Sequence, residues 1–334
     1  MTDNIIASSL TGWIPYQLEF KESQYVCKWL YTGQLPYIEP FFDETINKCR
    51  SHLNSDRRMQ CVSSSSVLEE WSKQIDAIQP SAFIFHVSRC GSTLLSQLLG
   101  LNEEHIVLSE VPFFDDLLRA KYKPEHNEDA DIQAALLPAA LQFYGEKRSG
   151  IENRLFVKTD SWHLFFYKQI RALYPGIPFI LLYRRPDEVI RSQHKKRGMH
   201  AIPGIIEKEV FEFDEIPEHN NDFDVYMAAV LEKYFDKILE IELQDPLAYL
   251  VNYNEGFASI TKKVLELTNT TVTPDYLKQI EERCKYNAKN PHEVFDEEAM
   301  KQEGCAPYLK KIFDLYKKAE SVKGHRNMVY DEVN

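Results

Sequence analysis

At 334 residues the chain has room for one large α/β domain with an appendage, and its 44% hydrophobic and 27% charged content excludes a disordered or fibrous protein. A formal net charge of −12 argues against a general nucleic-acid binder, because neutralising phosphates takes a basic surface, so any basic site has to be local. The longest uncharged stretch, residues 4 to 18, is broken by Asn4, Ser8, Ser9, Thr11, Gly12 and Pro15, so no membrane segment is expected. It lacks the basic lead-in of a signal peptide, and six cysteines without a CxxC pair read as reduced thiols, so the expected location is cytoplasmic.

Residues 1 to 78 combine turn signals at Gly33, Pro36 and Pro40 with aromatic runs and an amphipathic segment from about Asp43. They read as a small α+β appendage, with the Ser63–Ser66 run as a linker region. From Ser81 onward, apolar runs of five or six residues alternate with longer amphipathic segments, the pattern of βαβ units around a buried, mostly parallel sheet. The spacing predicts strands over 82–87, 105–109, 154–158, 178–183 and 247–252, and helices over 131–147, 161–174, 186–198 and 222–244. The division expected is thus 1–78 for the appendage and 79–334 for an α/β domain, whose ligands would bind beyond the carboxyl ends of the strands.

At the first of those strand ends stands "HVSRCGSTLL". A strand-to-helix loop turns backbone N–H groups outward at the positive end of a helix, Gly91 allows close approach, Ser92 and Thr93 add hydroxyls, and Arg89 adds a forked positive charge. Such a loop is an anion cradle, though Ser and Thr are also ordinary helix-start residues. The ATP-binding pattern G-x-x-x-x-G-K-[ST] is not met, since its first glycine and its lysine are missing. A second basic element, "YRRPDEVIRSQHKKRG", follows the strand at 178–183 and carries six basic residues against Asp187 and Glu188, which places a local positive charge on the same sheet edge.

The Arg-Cys-Gly-Ser-Thr loop resembles the 5′-phosphosulfate loop of the sulfotransferases, (Lys or Arg)-Ser-Gly-Thr-Thr, with Cys90 and Ser92 as mild departures. In that family an Arg at a strand end and a Ser eight residues later hold a 3′-phosphate, a spacing matched by Arg184 and Ser192. "FVKTD" at 156–160 is similar to the family's Lys-Thr-His strand end, and "AYLVNYNEG" at 248–256 looks like its late strand ending in Tyr-Glu. "VKGHR" partly resembles the Arg-Lys-Gly loop but lacks its Arg and the following Gly-Asp-Trp. The resemblance covers most of 80–334. It implies a three-layer, P-loop-like α/β fold, and 3′-phosphoadenosine 5′-phosphosulfate as donor, held by Arg89, Cys90, Gly91, Ser92, Thr93, Arg184, Ser192, Lys323 and Gly324. The acceptor implied is a small-molecule or peptide hydroxyl or amine.

Sulfuryl transfer places charge on the equatorial and leaving-group oxygens, so catalysis rests on positioning and preorganised positive charge, for which Arg89 and Lys158 are the candidates. No metal is expected, as the histidines show no ligand spacing. A carboxylate within reach can accept the acceptor's proton. Glu110, at the end of "HIVLS", has an offset from Arg89 similar to that of the glutamate base in tyrosylprotein sulfotransferases, and "SEVPFF" resembles a segment of heparan sulfate sulfotransferases. Asp160 occupies the position of the catalytic histidine of cytosolic sulfotransferases, and His163 follows three residues later. His86 and Trp162 read as core residues, the latter also as an adenine-stacking candidate. Two other readings stand beside the sulfotransferase: a kinase with a degenerate phosphate loop, and a non-catalytic module that binds a bisphosphate nucleotide.

Overall fold

Alternation of apolar and polar residues before Gly33 and unbroken apolar runs after Pro80 produce two different sheets. The computed structural model describes residues 10–53, 61–123, 132–287 and 306–331. In chain order its elements are β1 (Trp13–Lys21), β2 (Gln24–Tyr31), α1 (Phe42–Leu53), β3 (Cys61–Ser64), α2 (Ser65–Ser72), β4 (Pro80–His86), α3 (Ser92–Leu99), β5 (His105–Ser109), α4 (Pro112–Leu118), α5 (Ile132–Tyr144), β6 (Arg154–Lys158), α6 (Tyr167–Leu173), β7 (Phe179–Tyr183), α7 (Pro186–Lys195), α8 (Phe223–Gln244), β8 (Ala248–Asn252), α9 (Phe257–Leu267), α10 (Pro274–Arg283) and α11 (Lys310–Asp331).

The central sheet has five parallel strands in the order β5-β6-β4-β7-β8. Phe83 of β4 stands opposite Val157 on one side and Phe179 on the other, and Ile84, Phe85, Leu155, Phe156, Ile180 and Leu182 are fully buried. Such strands are apolar on both faces, which is why they read as continuous runs. The chain leaves β4 toward β5 on one flank and later crosses to β7 on the other, so β4 is the switch point where a crevice opens at the carboxyl end. The α/β fold with its mostly parallel sheet is as expected, and each of the five strands lies within two residues of its predicted span.

The first sheet is antiparallel, in the order β1-β2-β3. It shares its core with the larger body: β1 packs on α4 and α5, Trp29 meets Phe143 edge-on at 4.9 Å, and the Tyr144 hydroxyl donates to Pro15 O at 2.5 Å. Buried Arg148 donates to Thr32 Oγ1 at 2.9 Å and Gly33 O at 3.0 Å while its guanidinium covers the Tyr37 ring at 4.4 Å.

Three expectations are corrected. The serine run is no linker: Ser63 and Ser64 end β3, where Ser63 Oγ accepts from Trp29 Nε1 at 2.8 Å, and Ser65 and Ser66 begin α2. Residues 161–174 are not one helix but a 3-10 turn, Ser161–Phe166, followed by α6, because His163 Nδ1 accepts the Asp160 N–H at 3.3 Å and tightens the start. Lys323 and Gly324 lie in helix α11 rather than in a loop. Among the described residues, no helix is long and apolar enough to cross a membrane. The described cysteines 27, 49, 61, 90 and 284 are free thiols; Cys305 lies outside the described residues.

Candidate active site

The loop after β4 turns sharply because Ser88 (φ 67°), Arg89 (φ 50°) and Gly91 (φ 79°) are all left-handed. For Ser and Arg this costs about 1 kcal/mol each, and backbone strain of this kind collects at ligand sites. Gly91 has a second reason: a Cβ there would stand 2.1 Å from Phe257 Cζ, so only glycine fits beneath that ring. Gly91 O then accepts from Leu94 and Leu95 as α3 begins. Cys90 turns its thiol into the core toward Leu182 O, and burial pushes that thiol up to about 12, so the residue offers the loop its backbone only.

The two basic motifs, distant in sequence, meet here. Arg89 donates from Nε to Ser192 Oγ at 2.8 Å and from Nη2 to Ser192 O at 3.1 Å. Arg184 donates to Arg89 O at 3.3 Å and to Glu188 Oε2 at 2.8 Å, and its guanidinium lies 3.9 Å from the centre of the Tyr253 ring. Burial and then the neighbouring Arg184 both work against the charge on Arg89. Two cations held together in a half-buried crevice are what an incoming polyanion neutralises. Lys323, by contrast, pairs with Glu255 at 2.7 Å beyond β8, so the structure brings it to the neighbouring strand end.

The end of β6 delivers Lys158, whose side chain is fully buried, to Glu110 Oε1 in an ion pair. Glu110 itself is left-handed (φ 57°), and its N–H donates to Lys158 O at 2.9 Å, so the ends of β5 and β6 are cross-tied at this pair. Burial opposes the charge on Glu110, but Lys158 and His86 outweigh it and hold the carboxyl well below the usual range. His86 Nε2 stands 3.5 Å from Glu110 Oε1. From the first sheet's side, the Phe41 ring lies 5.2 Å from Lys158 Nζ, and burial and then Glu110 raise the Asp43 carboxyl.

Asp160 sits deeper. Burial first, then Glu110 and Asp115, raise its carboxyl well above the ordinary 3.8. Below it, Asp115 accepts from Trp162 Nε1 at 2.5 Å, His163 Nε2 at 3.0 Å and Arg119 Nη1 at 2.7 Å, and Arg119 also donates to Glu207 Oε2 at 2.8 Å. Trp162 is therefore a core residue with its N–H satisfied. Asp115, Asp160 and His163 hold ligand atoms within 4.8 Å of one another. Within this cluster His163 Nδ1 accepts the Asp160 N–H, which leaves its proton on Nε2 facing Asp115.

Burial and the neighbouring carboxylates make the folded protein hold the Asp160 proton to higher pH than the unfolded chain does, so this group subtracts from stability as the pH rises above about 3.8. Asp160→Asn is accordingly expected to raise the thermal midpoint by a few degrees at pH 7 and to leave it unchanged at about pH 2.5, where the carboxyl is protonated in both states. Thermal unfolding at the two pH values checks it.

The residues that the sequence reading left out, Phe41, Asp43, Asp115 and Arg119, reach the site through packing between distant segments. Asp115 follows directly on the "SEVPFF" stretch, five residues after Glu110, and Asp43 was named only as the start of an amphipathic segment.

A model of the Sulfotransferase family matches residues 80–248. Among solved structures, the chain is similar to a sulfotransferase domain from the curacin biosynthetic pathway, at 16% identity over 73% of this chain and 99% of that one, with a TM-score of 0.46. It is also similar to a sulfotransferase from Alicyclobacillus acidocaldarius (16% identity, 60% and 90% of the two chains, TM-score 0.33). A mouse sulfotransferase complexed with PAP matches at 14% identity over 71% and 78%, with a TM-score of 0.36. No curated protein matches. The matched span takes in the left-handed loop after β4, the Lys158–Glu110 pair and the basic start of α7, and on that match this enzyme belongs to the sulfotransferase family.

Proposed function

We propose that the enzyme moves the sulfuryl group of 3′-phosphoadenosine 5′-phosphosulfate onto an acceptor hydroxyl or amine, with Glu110 as the general base. The observation that carries this reading is the junction of Arg89, Arg184 and Ser192, which come from two motifs about a hundred residues apart. The loop suits the donor: it is left-handed at Ser88, Arg89 and Gly91, it opens helix α3, and it carries Arg89 with Arg184 bonded to its carbonyl. Residues 88–93 would hold the 5′-phosphosulfate, and Arg184 with Ser192 the 3′-phosphate. When bound, the donor supplies an activated sulfuryl group and a bisphosphate leaving group.

Lys158 carries three N–H donors, so it can keep Glu110 oriented while turning one toward a donor oxygen. Engaging the donor weakens its hold on Glu110 and raises that carboxylate's basicity, so the base becomes competent when the donor is in place. Residues 1–78 are proposed to supply a wall of the acceptor site through Phe41 and Asp43. A cavity of about 260 Å³ is lined by Tyr37, Ile38 and Glu39 from residues 1–78 together with Val107, Ser109 and Arg283 among others.

Calorimetry tests the donor reading. Adenosine 3′,5′-bisphosphate is expected to bind at micromolar Kd or tighter without magnesium, about 8 kcal/mol, with AMP and ATP far weaker. Arg184→Ala should weaken it by about 2–4 kcal/mol, since a phosphate loses a charge-assisted partner. Equal affinity for AMP and the bisphosphate would remove the role given to Arg184 and Ser192. For the wall, Phe41→Ala should raise the acceptor KM about 10-fold with bisphosphate affinity unchanged; an unchanged KM would dismiss the idea.

A further inference from the structure

His86 belongs to neither motif, yet its ring lies where three functional segments converge. Nδ1 accepts the N–H of Ser88 at 3.1 Å, Nε2 is 2.9 Å from Thr159 O, and the same nitrogen stands 3.5 Å from Glu110 Oε1. A nitrogen that accepts a backbone N–H carries no proton, so the ring proton sits on Nε2, where both other partners are acceptors. The ring is 5% exposed, and burial, which disfavours its charged form, outweighs the opposing pull of Glu110. Ser88 is one of the left-handed residues of the loop, and its hydroxyl is met from the opposite side by Gln193 Nε2 at 3.4 Å. Without that acceptor, an unsatisfied Ser88 N–H in a strained, buried turn would release the strain by refolding the loop.

We infer that His86 is a positioning residue whose fixed Nε2–H tautomer couples the conformation of the anion loop, through Nδ1, to the orientation of Glu110 and the β6 end, through Nε2. Its catalytic consequence rests on the proposed roles of the loop and of Glu110; the coupling itself rests on geometry alone. The two nitrogens can be replaced separately. Asn sets an acceptor oxygen near the position of Nδ1 and nothing at Nε2, whereas Gln sets an amide N–H near Nε2 and nothing at Nδ1.

Histidine-selective nitrogen NMR of the full-length enzyme, with His86 assigned by its loss in H86N, reads the tautomer directly. The Nε2–H form is expected at pH 7; the Nδ1–H form or an imidazolium would overturn the inference. H86N should keep the Ser88 amide protected from exchange and bind adenosine 3′,5′-bisphosphate within about threefold of wild type, while turnover of the donor falls at least about 10-fold. H86Q should show the converse, with Ser88 exchanging quickly and bisphosphate affinity down about 10-fold. Equal behaviour of the two variants in exchange and affinity would mean that the ring merely fills space, and would overturn the inference. If neither variant folds, the wild-type tautomer decides. If the wild-type enzyme does not bind the bisphosphate, the donor reading falls, while tautomer and Ser88 exchange still judge His86.

Discussion

Glu110→Gln should lower sulfuryl transfer by about 100-fold or more while leaving adenosine 3′,5′-bisphosphate binding close to wild type. Gln keeps the shape of the side chain and an oxygen for Lys158 and His86, so the ends of β5 and β6 stay tied, but it has no basicity at neutral pH. Arg89→Ala differs in kind: the guanidinium reaches Ser192 in the resting enzyme and would contact the donor in ground and transition states alike, so affinity and rate fall together. Donor turnover, followed as bisphosphate release, together with calorimetry separates the two patterns. Asp160→Asn supplies the control. Turnover that survives in the Glu110 variant but collapses in the Asp160 variant, with both still binding the bisphosphate, would move the base to Asp160.

Lys158→Met should be the most destabilising single change in the site, by about 3–5 kcal/mol, because it strands a carboxylate that burial already opposes. The lysine side chain is fully buried and the Glu110 side chain 21% exposed, so solvent does little to rescue the charge. In wild type the Glu110 carboxyl lies below its ordinary 4.5, so the pair's contribution is complete above about pH 4.5 and fades as the pH falls toward the folded value. With Lys158 gone, burial is opposed by His86 alone and the carboxyl moves up, so the penalty appears as the pH climbs through its raised value. The gap between variant and wild type is therefore expected to widen from acid to neutral pH in urea titrations. Adding Glu110→Gln should recover most of the loss at neutral pH. A gap that stays constant with pH, or a double variant no more stable than the single one, would show that the ion pair is not what holds the strand ends.

What the sequence disclosed and what it hid divide along physical lines. Strands buried on both faces are apolar runs in the chain itself, so β4 to β8 could be placed, and Arg184 and Ser192 stand just before and within one short helix, where spacing constrains geometry. Glu110, Lys158 and Asp160 were readable because each stands at a strand end. Phe41 and Arg119 were not, since they arrive by packing of elements that no periodicity relates: Phe41 over Lys158 from outside the matched span, and Arg119 by reaching to Glu207. The serine run misled because Ser serves equally at a strand edge, at a helix start and in a linker. Lys323 and Gly324 misled because Gly in a helix interior, a burden of about 1 kcal/mol, is a weaker signal than the neighbours that continue α11.

The left-handed Ser88 and Arg89 hold their conformation through bonds internal to the protein, to His86, Gln193 and Ser192. The ordering of the loop is thus completed during folding, and a nucleotide meets a cradle whose entropy has already been surrendered. Affinity for the donor then becomes a readout of how well distant parts of the fold hold together. A substitution that loosens the α7 entry or the β4 end, without approaching a phosphate, should weaken nucleotide binding by the free energy needed to rebuild the turn.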